Sequence, residues 1–483
     1  MKGKSLFEKL ALLPFGRIIL SGVLFIAALA PIVFGAAPVW AYTLIEIIVF
    51  ALLLLFLFRN SVRGHWPDFT ELKLLWIFVG CFFLVVIFQL IPLPAEVLAV
   101  ISPSSLAFFK RAIPEFVSGE GIYMWRCLSF NPYETKVYLV KYLTYLGVFF
   151  LCAYGLKKER NIEMVIIVLM AVGCFEVLYG LYERFENQEI FGYPKRSYLD
   201  SVTGTYINRN HFAGFLGMVI TLSTGYLYGK FSHETHNAHT YKDKIISFLN
   251  SPDALKYGLL SSAIIIMIIG VFFSLSRMGM ISLFLSLLLM AFIAYLGKKV
   301  RMAFLGLGLL LFSVGVIVLQ GTDQLEKRIE TVESSALSRL ALWESTVELV
   351  GDYPLFGTGL GAFESGFRTY APDLGNKRQL FTYNRAHNDY LELVAGMGII
   401  GSLPVVAAII FLFMLFHRKW LERKNSFSNG VALGGLGAFT YMLLHSLADF
   451  NLHIPANAVV FAMILGITYA VLNIKHRSRR RRK

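Results

Sequence analysis

Apolar residues run along this chain in blocks too long for surface helices of a soluble protein. Blocks of mostly apolar residues recur from end to end, at 17–36, 39–58, 73–92, 136–156, 162–182, 209–228, 257–275, 278–297, 302–320, 398–416, 429–446 and 456–474. An α-helix rises about 1.5 Å per residue, so about 20 residues cross the hydrocarbon core of a bilayer. The pattern therefore predicts an all-α polytopic membrane protein with about twelve transmembrane helices.

The polar stretches between the blocks are unequal, and three connections are long: roughly 93–135, 183–208 and 321–397. The last is by far the largest, and a loop of that size in a compact protein is usually folded or functional. Within it SALSRLALWESTVELV, Ser335 to Val350, sets Leu337, Leu340, Leu342, Trp343, Val347 and Val350 at helical spacings. Arg339, Glu344 and Glu348 take more polar positions, and Ser335 or Ser338 is the expected cap. GDYPLFGTGLGAF, Gly351 to Phe363, then supplies the glycines and proline that end a helix and allow tight turns. The expected organisation is an N-terminal set of helices over 1–200, a second region over 201–474 that contains loop 321–397, and a basic tail over 475–483.

Composition agrees: 56% of the 483 residues are hydrophobic and 16% charged, outside the soluble globular range. The net charge of +14 would suggest nucleic acid in a soluble protein, but no folded basic surface accompanies it, and nucleic-acid binding is not expected. The lysines and arginines instead gather on alternate connections: Lys2, Lys4 and Lys9; Arg59 and Arg63; Lys157, Lys158 and Arg160; Lys230, Lys242 and Lys244; Lys298, Lys299 and Arg301; Arg418, Lys419, Arg423 and Lys424; and the tail. By the positive-inside rule both termini are cytoplasmic and the three long connections lie on the other side. The tail would attract anionic membrane lipids. The first block, lacking a small-residue cleavage site, is read as a retained helix. Cys81, Cys127, Cys152 and Cys174 lack metal-ligand spacing, and His233, His236 and His239 lie on the cytoplasmic side with no second ligand cluster, so no metal is expected.

Polar residues beside the long connections carry the candidate chemistry. GTYINRNHFAGFLG brings Asn208, Arg209, Asn210 and His211 to the mouth of the sixth block. Arg209 is either an interfacial anchor or, with the free N–H groups of a helix N-terminus, an anion site. SLSRMGM puts Ser276 and Arg277 in a very tight turn between two blocks, as a pinning residue or part of a polar pocket. Two arginine forks at similar depth suit a diphosphate. In NRAHNDYLE, Asn384 to Glu392, His387 is the residue best suited to proton transfer, with Asn388 or Asp389 able to orient it or to cap the following helix. Arg385 has no single assignment. Glu176, within the fifth block, borders the pocket or serves structure, and His445, Asp449, Asn451 and His453 of HSLADFNLHIPAN line the same cavity or cap two helices.

NRNHFAGFLG, SRMG, SRLALWE, GTGLGAF, HNDYLELVAGMGIIG and DFNLHIPAN, in that order, resemble the O-antigen ligase and polymerase superfamily of bacterial membrane glycosyltransferases, over about residues 200 to 474. The resemblance implies a GT-C-like helical fold with one large, partly helical periplasmic loop. It further implies transfer of a glycan from a polyprenyl diphosphate carrier to a lipid or glycan acceptor at the periplasmic face of the inner membrane, with no cofactor and no metal. In that family the arginines matching Arg209 and Arg277 hold the donor diphosphate and the histidine matching His387 is the base; a single displacement predicts inversion. Asn208, Asn210, His211, Ser276, Arg385, Asn388 and Asp389 are expected around the substrates, and Arg339 and Trp343 to recognise glycan or brace the loop. A protein O-oligosaccharyltransferase of the same superfamily is an alternative. A transporter or flippase of lipid-linked sugars is another, but it would place charges near the midplane and show related halves, and neither is apparent here.

Overall fold

A computed structural model describes residues 14–113, 125–235, 240–296, 325–371 and 384–474. Its long helices are α1 (Phe15–Ile32), α2 (Val39–Arg63), α3 (Lys73–Leu90), α4 (Pro132–Gly155), α5 (Glu159–Phe185), α6 (Arg209–Glu234), α7 (Ala254–Phe273), α8 (Arg277–Leu296), α9 (Leu325–Asp352), α10 (Asp389–Glu422), α11 (Ser426–His445) and α12 (Pro455–Asn473). All but α9 are long and apolar enough to cross a membrane, and the chain is an all-α polytopic membrane protein. Among the described residues, sheet is confined to two short antiparallel pairings, Leu93–Pro94 with Trp125–Arg126 and Glu189–Ile190 with Tyr193–Pro194. The block at 302–320, the basic tail, His236 and His239 lie outside the described residues.

Helices α6, α11 and α12 form the centre and are buried along most of their length. The first two approach closely because each carries a Gly-x-x-x-Gly pair, Gly225 with Gly229 and Gly430 with Gly434. A Cβ on Gly225 would lie 2.3 Å from the Gly434 nitrogen, so only glycine permits this crossing. At one end of the bundle, Glu163 on α5 pairs with Lys230 and Lys256, at 3.4 and 2.6 Å, and Lys419 on α10 pairs with Glu71.

The long connections gather at the opposite end. Helix α10 is broken at Gly398 (φ 61°, ψ −173°), a conformation only glycine adopts cheaply. The loop after α9 supplies bonds around this break: the Ile399 and Ile400 N–H groups donate to the Pro354 and Leu355 carbonyls, at 2.8 and 3.1 Å, and those of Thr358 and Gly359 donate to Ala395 and Gly396, both at 2.9 Å. Gln89, fully buried at the end of α3, donates to the Phe356 and Gly396 carbonyls and accepts from the Leu360 N–H. Helix α3, the loop and α10 are thereby tied together.

One expectation changes, and one open alternative is decided. Helix α9 begins at Leu325, so neither Ser335 nor Ser338 caps it; the preceding residues are mostly good helix formers without a breaker, and propensity carries the helix through both serines. Glu176 is buried and holds the approach to α6, accepting from the Thr205 N–H and hydroxyl, both at 2.8 Å.

Candidate functional site

His387 sits where the loop turns into α10. Asn388 caps that helix, its side chain accepting from the Tyr390 and Leu391 N–H groups at 3.0 and 3.1 Å. His387 itself is held at φ 50°, a left-handed backbone that costs a non-glycine residue free energy and must be enforced by its surroundings. The enforcement is visible on both sides. Trp343 Nε1 donates to the Ala386 carbonyl at 3.0 Å, and the Ala386 N–H donates to Glu392 at 3.0 Å. Arg385 pairs with Glu392 at 2.7 Å and donates to the Tyr138 hydroxyl.

This network continues into the connection between α11 and α12. His453 lies 3.0 Å from Glu392 through Nε2 and 2.8 Å from Asp389 through Nδ1. Asp389 also accepts from the Ser446 hydroxyl and the Leu452 N–H. Burial alone would lower the pKa of His453, but Glu392 and the hydrogen bonds to both carboxylates raise it above the ordinary histidine value. Arg385, Asn388, Asp389 and Trp343 are therefore engaged in holding the turn that presents His387.

The imidazole of His387 faces Asp449, with Nδ1 3.6 Å from Oδ1, slightly beyond a hydrogen bond. Asp449 is fully buried, and its other oxygen accepts from Asn451 at 3.3 Å and lies 3.9 Å from His211 Nε2. Burial would raise the carboxyl's pKa, yet His387, His211 and His445 around it hold it well below the usual carboxylate range. Phe450 packs edge-on against both His211 and His387, with ring centroids 4.7 and 4.9 Å apart. With Nδ1 turned in to a carboxylate, Nε2 is the nitrogen left for proton transfer. The sequence marks Asp449 as lining the cavity or capping a helix; what it does not show is the pairing with His387.

Arg209 is the first residue of α6, which Asn208 caps by accepting from the Asn210 N–H at 2.8 Å. Its guanidinium lies over the Tyr198 ring, 5.2 Å from the centroid, and 4.0 Å from Asp200. Arg277 is the first residue of α8 and exposed; Ser276 caps that helix, its hydroxyl accepting from the Gly279 N–H at 3.3 Å. The two helix starts adjoin, since a Cβ added to Gly279 would sit 2.7 Å from the Ala213 Cβ. Tyr198 lies within electrostatic reach of Arg209, Asp449 and Arg339. Asn210 is half-buried and His211 buried. Asn208 and Ser276 thus serve as caps, and Arg339 is half-buried on the loop helix.

Two recesses flank this arrangement. A polar cleft of about 420 Å³ lies between the start of α4, the short helix Phe363–Phe367, Arg385 and Phe450. An apolar groove of about 300 Å³ runs between α3, α4, α10 and α12, with Asp389, Glu392 and His453 at its polar end. Among the described residues, no group of histidine, cysteine and carboxylate side chains has metal-holding geometry.

Arginines at adjoining helix starts, beside a histidine backed by a buried carboxylate, make this a polytopic membrane protein with a site at one end of its bundle suited to anionic, proton-transferring chemistry. Residues 262–406 match the family model described as O-antigen ligase, a segment that includes Arg277, the loop helix and His387. The match bears out the resemblance to the O-antigen ligase and polymerase superfamily and gives the general class, a membrane glycosyltransferase with lipid-linked glycan and acceptor substrates. No curated protein matches the chain.

Proposed function

We propose that this protein transfers a glycan from a polyprenyl diphosphate carrier to an acceptor hydroxyl at the periplasmic face of the bacterial inner membrane, as an O-antigen ligase or surface-polysaccharide polymerase. The observation that carries the reading is the histidine–aspartate pair, His387 with Asp449, set beside the arginine-bearing starts of α6 and α8. The basic connections Arg59 to Arg63, Lys157 to Arg160 and Arg418 to Lys424 support a cytoplasmic location for the opposite end by the positive-inside rule. The apolar groove beside α10 fits a substrate that arrives on a lipid chain.

In this mechanism His387 Nε2 takes the proton from the acceptor hydroxyl as its oxygen attacks the anomeric carbon. The bond from that carbon to the carrier phosphate breaks, and the diphosphate leaves with the electron pair. Arg209, Arg277 and the two helix starts stabilise the charge that develops there. Asp449 stabilises the imidazolium as it forms, and the single displacement inverts the anomeric centre with no metal ion taking part. Purified protein, supplied with a polyprenyl diphosphate glycan and candidate acceptors, is expected to form a product whose NMR spectrum shows inverted anomeric configuration. Retained configuration would rule out the single displacement, and a lack of product with every acceptor would rule out the transferase reading.

A further inference from the structure

We propose that the polar cleft beside His387 is the subsite for the acceptor, and that the acceptor group it takes is a saccharide. The inference rests on the transfer reaction proposed above and adds to it where the second substrate lies and what it is.

The cleft's walls are chemically mixed. Asn131 and Glu134 come from the start of α4, Ser365 and Arg368 from the short helix and the residue after it, and Arg385 and Phe450 close the side nearest His387. Asn131 caps α4 through its oxygen, accepting from the Glu134 N–H at 3.2 Å, and turns its amide nitrogen to Ser365 at 3.4 Å. The half-buried Glu134 carboxylate has no hydrogen bond or ion pair among the described residues. Arg368 pairs with Glu364 at 3.1 Å on the outer rim. Carboxylate acceptors, guanidinium and amide donors and one aromatic ring, in a space of about 420 Å³, match the alternating donors, acceptors and apolar face of a sugar. The size falls within the roughly 300 to 1,000 Å³ of small-molecule sites. The recurring peptide-binding modes rest on a strand edge, an apolar groove, an arginine cluster or a backbone nest, and a cleft that interleaves carboxylates with guanidiniums and an amide is none of these.

Position assigns the cleft to the acceptor and not the donor. No residue of α6 or α8 lines it, so its occupant reaches His387 from a side that the diphosphate-binding arginines do not build. An in-line displacement needs that separation, because the attacking hydroxyl and the leaving diphosphate lie on opposite faces of the anomeric carbon. Phe450, whose ring meets His387 edge-on at 4.9 Å, is placed to carry the sugar face that points its hydroxyl toward Nε2.

The test uses full-length protein in lipid nanodiscs and saturation-transfer NMR, which reads binding without turnover. The probes are lipopolysaccharide core oligosaccharide and the surface-glycan repeat of the producing bacterium, both freed of lipid, and a serine- and threonine-rich peptide. One oligosaccharide is expected to bind, with Kd raised about tenfold or more by Glu134→Gln and by Ser365→Trp and little changed by Arg209→Ala; about tenfold corresponds to one lost charged hydrogen bond. Arg368→Ala, on an exposed side chain, should also weaken binding and guards against a folding defect in the tryptophan variant. Binding that survives all three cleft variants, binding of the peptide alone, or no oligosaccharide binding overturns the proposal. Cleft-dependent binding by a protein that forms no product would leave the saccharide site standing and remove the transfer reaction.

Discussion

Asp449→Asn separates chemistry from folding, because the amide keeps the shape of the buried side chain while it removes the charge and turns one acceptor oxygen into an N–H donor. In the wild-type protein the carboxylate sits 3.6 Å from His387 Nδ1 and attracts the imidazolium formed as the acceptor loses its proton. At an effective dielectric constant of about 20, charges at that separation attract by about 4 kcal/mol. The His387 side chain is 36% exposed, and solvent screening lowers the estimate to about 2 kcal/mol at the least. Since about 1.4 kcal/mol is worth tenfold in rate, kcat should fall between about thirtyfold and a thousandfold. The assay is transfer from a polyprenyl diphosphate glycan under saturating acceptor, with the thermal unfolding midpoint as control. A variant that folds like the wild type and keeps kcat within about threefold would refute the argument that Asp449 stabilises the imidazolium.

Glu392→Gln removes the anion shared by Arg385 and His453; breaking a buried pair from one side costs about 3 to 5 kcal/mol, so the unfolding midpoint should drop clearly, and an unchanged midpoint contradicts the bracing role. Gly398→Ala places a Cβ 2.3 Å from the Leu355 carbonyl at a positive φ, and should destabilise by about 1 to 3 kcal/mol, read by the same melt. Stability should also depend on pH at both limits. The pKa of His453 is raised in the fold, so its contribution is full below about pH 6.5 and lost as pH rises through the folded value; His453→Gln should flatten that alkaline limb. Asp449 is depressed, so its contribution is present above about pH 4 and lost as pH falls through its folded value, a limb that Asp449→Asn should remove.

Hydropathy made the spanning helices legible because bilayer thickness sets their length and composition directly. It located the tenth block at 398–416, where the helix bends at Gly398, but not the turns of α10 before it. Their first turn carries Asp389 and Glu392, and their helicity comes from the Asn388 cap and from tertiary ties to the α11–α12 connection. Arg209, Arg277 and His387 could be picked out because charge beside an apolar block needs a reason. The partnership of His387 with Asp449 was not legible, since it joins residues far apart in sequence through the packing of α10 against α11. Nor could pattern alone separate recognition from bracing at Arg385, Asp389 and Trp343: the same polar side chains serve either role, and their partners Tyr138, His453 and the Ala386 carbonyl are brought to them only by the fold.

In the proposed transfer, His387 removes the proton of the acceptor hydroxyl. Single-turnover transfer from a radiolabelled polyprenyl diphosphate glycan, run with wild-type protein and with His387→Ala at equal folded concentration, tests it most directly. The wild type should form glycosylated acceptor rapidly, and the variant should lose about a hundredfold or more in rate, the scale of general-base catalysis. A variant that transfers at the wild-type rate would contradict it.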